Sequence, residues 1–254
     1  MFRQWLVLCL LALLGIAAPA NAQDCDTAST VTAAVDLAGV LKAKPDPLAN
    51  LATAASSPPF AKAPKTLNLP ADFVKGGDAA WKDSFPGTTS QEQGGILVKD
   101  PKGKYVWKRG PSGTSGSWPP NYVDLKTGET MIASLHTHPY SKAEGGYVGA
   151  GPSGGDIASM VTQKEPITIV HAGDTMFAVA ASKEFTDSLK GLSNAQLVAL
   201  FNTIDATYEA AYDKAIAAGK GFKDAINEAA QATSTKHKFI FYSGPTSGPL
   251  IRRN

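Results

Sequence analysis

Residues 131–160 read MIASLHTHPYSKAEGGYVGAGPSGGDIASM and carry two of the chain's four histidines, His136 and His138, one residue apart. Side chains alternate faces along a strand, so a strand over 131–136 that continues through His138 points both imidazoles the same way. Across a glycine-rich loop, Ser153-Gly-Gly-Asp156 stands at the head of an apolar helical pattern, Ile157 to Gln163. The first turn of that helix then delivers Asp156 to the point where the imidazoles converge. Two histidines, one carboxylate and an open position form the donor set of a reactive zinc site, whereas a structural site is closed by a fourth protein ligand. The same Ser-x-x-Asp is also a helix capping box, which accounts for Ser153 and Asp156 without any metal. The two readings are compatible.

The chain has 254 residues and a formal net charge of +2, so no nucleic-acid partner is expected. Arg252-Arg253 is a short basic end and reads as a solvated tail. Residues 1–22 have the pattern of a secretory signal peptide. Arg3 supplies the positive start, Trp5 to Ala18 is apolar, and Ala20-Asn21-Ala22 is a small-x-small cleavage site that leaves Gln23 as the mature start. The apolar run is too short for a stable membrane anchor. Cys9 leaves with it, and Cys25 is the one cysteine kept, either an incidental thiol or a link to another chain. A single cysteine makes no internal disulfide, so the fold must rest on its core. With no cysteine cluster, a closed thiolate metal site is excluded. The expected address is export, to a periplasm or beyond the cell.

Along the chain, residues 28–43 have helical spacing at Leu37, Val40 and Leu41. The Pro/Ala-rich stretch Pro45 to Pro70 reads as a linker or an arm on the surface. From about Gly76 the character changes. Gln91 to Val98 and Lys104 to Val106-Trp107 are predicted to pair across the turn Asp100-Pro-Lys-Gly103. Asn121–Leu125 and Met131–His136 form another candidate pair. Ile167–Val170 and Met176–Ala180 are predicted to join through a hairpin at His171-Ala-Gly-Asp-Thr. Leu197, Leu200, Phe201, Ile204, Tyr208, Ala211 and Ala215 lie on one helical stripe. Ser193 and Gln196 box its start, and Gly219 stops it. A helix over 222–232 and a strand over 239–242 complete the pattern. The fold class expected is α+β, a mixed β-sheet flanked by helices, since no steady βαβ rhythm is present. The parts expected are the signal peptide 1–22, an N-terminal helix and arm 23–75, a metal-binding domain 76–182, and a helical C-terminal extension 183–254 with a final strand and tail.

Competing motifs fail on context. Gly149-Ala-Gly151-Pro-Ser-Gly154 matches Gly-x-Gly-x-x-Gly, but no strand precedes it and no Lys-Ser/Thr follows. Ser153 lies in Gly-Pro-Ser-Gly-Gly, which is not a nucleophile elbow. His171 and His237 read as surface residues or supports, not as ligands.

His136-Thr137-His138-Pro139 followed by Ser153-Gly-Gly-Asp156, with Glu92 upstream in Glu-Gln-Gly-Gly-Ile-Leu-Val, resembles the JAMM signature of the JAB/MPN metalloprotease superfamily. The Glu-x-Gly-Gly start and Lys-Asp-x-x-Gly-x-Tyr turn resemble a set of exported bacterial JAB-like domains. The resemblance covers about residues 76–182. It implies that His136, His138 and Asp156 hold zinc, that Glu92 is the general base, and that Ser153 bonds the metal-bound water or the oxyanion. Glu92 is preferred for its glycine context, with Glu129 and Glu144 as the alternatives. One departure from the family pattern stands out: the gap from His138 to Ser153 is about twice as long. The loop 139–152 is therefore read as a lid, as a substrate-binding loop, or as the mark of a domain that binds metal without the family's reaction. The function expected is a zinc-dependent hydrolase of JAMM type, cutting an amide or isopeptide bond in a peptide or protein substrate, with cell-wall peptides among the candidates. The alternative is a non-catalytic binding domain or secreted effector on the same fold.

Overall fold

A computed structural model describes residues 46–254. The signal peptide expected over 1–22, Cys25 and the helix expected over 28–43 lie outside the described residues. The described part is a curled, eight-stranded mixed sheet flanked by helices, in keeping with the α+β expectation.

The elements run α1 (Ala49–Ala55), β1 (Thr66–Leu67), α2 (Ala71–Asp83), β2 (Gly94–Lys99), β3 (Tyr105–Arg109) and β4 (Thr130–Thr137). They continue with α3 (Gly154–Gln163), β5 (Ile167–His171), β6 (Thr175–Ala181), α4 (Lys183–Ser188), α5 (Asn194–Ala217), α6 (Phe222–Lys236), β7 (Phe239–Pro245) and β8 (Leu250–Arg252). The strand order is β1-β8-β7-β6-β5-β4-β2-β3. Every neighbouring pair is antiparallel except β4 and β5. Parallel neighbours need a crossover, and α3 with the glycine-rich loop before it supplies one.

Alternation along the strands divides the core in two. Leu97, Leu135, Ile169, Ala178 and Tyr242 face one side with Leu51 and Ala54 of α1 and Phe73 of α2. Val170, Phe177, Val179 and Phe241 face the other, covered by Ile157 and Val161 of α3, Ile204 and Tyr208 of α5, and Ala229 and Ala230 of α6. His136 pairs in register with Val170, which places it on the side of α3. None of the helices among the described residues is long and apolar enough to cross a membrane.

Three expectations are corrected. Of the stretch from Pro45 to Pro70, the described residues 46–70 are not a surface arm, because Leu51, Ala54 and Leu67 are fully buried and β1 joins the sheet edge. Prolines here fall between short elements, where they cost no ladder bond. Residues 121–125 form no strand; a single 3-10 turn, Pro120–Tyr122, leads to β4, which pairs instead with β2 and β5. His171 ends β5 and is buried, so it is neither a turn residue nor a surface residue. The change of character near Gly76 falls inside α2, and β7 and β8 of the C-terminal part lie within the sheet.

Candidate metal centre

β4 brings His136 and His138 to its end with both rings on the α3 face, as alternation requires. Their Nε2 atoms are 3.1 Å apart. Asp156, at the third position of α3, sets Oδ1 3.1 Å from His136 Nε2 and Oδ2 3.1 Å from His138 Nε2. The three residues form a cluster able to hold a metal ion. Both histidines are buried, and the Asp156 side chain keeps 20% of its exposure, so the cluster opens to solvent on that side.

The hydrogen bonds around the cluster fix which atoms face inward. His138 Nδ1 lies 2.9 Å from the carbonyl of Gly151. A carbonyl only accepts, so Nδ1 carries the proton and a neutral His138 turns the Nε2 lone pair toward the cluster. That lone pair then faces a carboxylate oxygen at 3.1 Å, acceptor against acceptor. Such a contact is repulsive until a cation, whether a proton or a metal ion, stands among the three. Without metal, burial opposes charge on His136, but Asp156 and Glu92 outweigh it and push its pKa up to about 9. Burial likewise resists ionisation of Asp156, yet the two imidazoles hold it well below the usual carboxylate range.

Ser153 and Asp156 form the capping box. The Ser153 amide and hydroxyl both donate to Asp156 Oδ2, at 2.7 and 2.8 Å. Capping and ligand geometry are therefore one arrangement: the box orients the carboxylate that the cluster uses. Ser153 Oγ also accepts from the Asp156 amide at 3.2 Å.

Glu92 comes to the site through sheet register. Gly94 stands opposite His136, and Gln93 accepts from the Thr137 amide at 2.9 Å, so Glu92 falls opposite His138. Its side chain is buried. Burial raises its pKa, and the charges of His136, His138 and Asp156 all act on it. The other two candidate bases go elsewhere. Glu129 pairs with Lys108 and accepts from the Lys126 amide at 2.7 Å, at the far end of β4. Glu144 accepts from Ser90 Oγ at 2.6 Å and from the Ser141 amide at 2.8 Å, tying the long loop to the segment that leads into Glu92.

Two residues near the site carried no signal in the sequence. Glu165 sits fully buried between α3 and β5, accepts from Ser134 Oγ two residues before His136, and is pushed up to about 7 by burial. Tyr140, just past the two histidines, packs edge-on against Tyr147 and Phe222 and is pushed up to about 12 by burial and the nearby carboxylates. His171 faces the opposite layer, donating Nε2–H to Asp78 at 2.9 Å and stacking on Trp81. His237 contacts Thr207, away from the cluster. No known protein family, curated protein or solved structure matches the chain.

Proposed function

We propose that the chain is an exported zinc-dependent hydrolase of JAMM type that cleaves an amide or isopeptide bond in a peptide or protein substrate. The observation that carries this reading is a buried glutamate, Glu92, set by β-sheet register against the His136, His138 and Asp156 cluster. A cluster built only to fold would have no use for a second, unpaired carboxyl beside it.

The donor set fits zinc. Ligands at 2.0–2.1 Å from a tetrahedral zinc stand about 3.3 Å apart. Here the two Nε2 atoms are 3.1 Å apart, each lies 3.1 Å from one oxygen of Asp156, and one donor atom from each of the three residues lies within 4.8 Å of the others, a spacing that suits such an ion. Three protein ligands leave a fourth position open, which is the pattern of a catalytic site. Zinc, when bound, acts as a Lewis acid and lowers the pKa of a coordinated water to about 7.

The chain's own residues supply the rest. Glu92, its pKa raised by burial, takes a proton from a water at the site and returns it to the leaving nitrogen. Ser153 holds Asp156 in place through the capping box. His138, protonated at Nδ1, presents Nε2. The resemblance to the JAMM signature supplies the class of reaction, and the leader pattern in residues 1–22 supplies the address. Cell-wall peptides and the tails of exported proteins are the substrates that address favours.

Metal analysis of the mature chain tests the first step. Wild type is expected to carry one zinc per chain and Asp156→Ala none. Equal, sub-stoichiometric zinc in both would remove the site. Glu92→Gln tests the second step: zinc content stays, and turnover of a peptide library falls by about 10²–10⁴-fold. A binding domain would instead keep its function in that variant.

A further inference from the structure

We propose that Asn227 of α6 is a positioning residue of the metal centre, setting the tautomer and aim of His138 through Gly151. The inference rests on the zinc reading above for its purpose but not for its geometry.

The chain of contacts is continuous. Asn227 Oδ1 accepts from the Gly151 amide at 2.8 Å, and its Nδ2 donates to the Gly149 carbonyl at 3.0 Å. One side-chain amide thus clamps both ends of a three-residue segment of the long loop. The carbonyl of Gly151 in turn accepts from His138 Nδ1 at 2.9 Å. Fixing the amide plane on one side of Gly151 fixes where its carbonyl points on the other. A histidine that ligates metal through one ring nitrogen needs its other N–H held by an acceptor, and loss of such a partner weakens metal binding by about 10–100-fold. Here the acceptor is a loop carbonyl, which would wander if nothing held it.

Space agrees with this role. A Cβ at Gly151 would stand 2.7 Å from Asn227 Oδ1 and 3.3 Å from Phe177, so glycine is what lets α6 come this close. Asn227 has a firm base, since Ala225, Ile226, Ala229 and Ala230 of the same helix are buried. The contact also gives the lengthened His138–Ser153 gap a use: it carries the loop within reach of α6.

The test uses the metal-free mature chain and reads the His138 ring nitrogens by NMR, then zinc affinity by competition titration. In wild type, His138 is expected as the Nδ1–H tautomer. Asn227→Leu, close in size but without hydrogen bonds, is expected to lose that single tautomer and to weaken zinc binding roughly 10–100-fold. Asn227→Asp keeps an acceptor for the Gly151 amide but sets a carboxylate oxygen against the Gly149 carbonyl, so it is expected to keep the tautomer and to weaken zinc binding less than Asn227→Leu does. A wild-type ring spectrum and affinity in Asn227→Leu would mean that Asn227 only fastens the loop, and the proposal fails. If that variant does not fold, Gly151→Ala decides, because its Cβ displaces the Asn227 amide while leaving Asn227 itself intact. Unchanged His138 nitrogens there overturn the proposal too. Should wild type bind no zinc, the proposed function falls while the ring spectra still decide this point.

Discussion

Glu165 is a carboxyl with nowhere polar to go except Ser134, and its ionisation has to be counted against folding. Burial moves its pKa from 4.5 to about 7, so between those values the folded chain holds a proton that the unfolded chain has released. Stability therefore falls as pH rises through this window, the reverse of an ion-paired carboxylate. The shift corresponds to about 3 kcal/mol at most. Glu165→Gln keeps an oxygen for Ser134 and removes the titration. With a chelator present to keep the site free of metal, the variant should be more stable than wild type at pH 8 and similar at pH 5. Urea unfolding at the two pH values checks this, and parallel losses in both proteins would contradict it. Residues like this one are invisible in the sequence because their partners come from elsewhere. Ser134 is 31 positions from Glu165, and Gly151 is 76 from Asn227. His136, His138 and Asp156 were legible for the opposite reason: strand alternation and a helix cap fix their directions locally. Glu92 lies between these cases, since its glycine context marked it while only the sheet register brings it to His138.

At the scale of elements, long periodic segments were readable and short ones under tertiary control were not. The stripe and capping box of α5 are where the pattern put them, as is the β2–β3 hairpin. The short β1 and α1 have no pattern long enough to read, and their order comes from burial against the sheet. Residues 121–125 cannot pair with β4 as expected, because β4 already has β2 and β5 on its two sides. α2 shows how a glycine can mislead. The change of character expected from about Gly76 falls within the helix, where Gly76 and Gly77 let it settle onto the sheet. A Cβ at Gly76 would collide with the Trp107 ring, which is held edge-on by Phe73 at 5.1 Å. Alanine is a better helix former by about 1 kcal/mol, but overpacking costs about 1–3 kcal/mol. Gly76→Ala should therefore lower the midpoint of chemical unfolding in spite of its propensity. A midpoint at or above that of wild type would show that Trp107 moves aside freely.

At the scale of the molecule, the candidate metal centre is assembled from parts that a boundary at residue 182 would separate, and the sheet from parts that one at residue 76 would separate. Its ligands come from β4 and α3, but the loop between them is clamped by α6, and α3 is roofed by Tyr208 of α5. The sheet behaves likewise: β7 covers the far side of β6, and β8 and β1 continue it. Residues 76–182 expressed alone would lose Leu51, Leu67 and Phe73 from one core. From the other they would lose Ile204, Tyr208, Phe239 and Phe241. Each large apolar side chain that is fully buried contributes about 1.5–3 kcal/mol. Seven such losses come to about 10–21 kcal/mol, as large as the roughly 5–15 kcal/mol by which a domain is stable. The fragment should be unfolded or molten, with poorly dispersed amide spectra and no cooperative transition, and adding zinc should not rescue it. The mature chain should unfold in one transition, and zinc held at 100 times its Kd should raise its stability by about 2.7 kcal/mol. A fragment over 76–182 that melted cooperatively and bound zinc as the whole chain does would show that the flanking elements are accessories. The burial of Leu51, Leu67 and Phe73 against the sheet argues against that outcome.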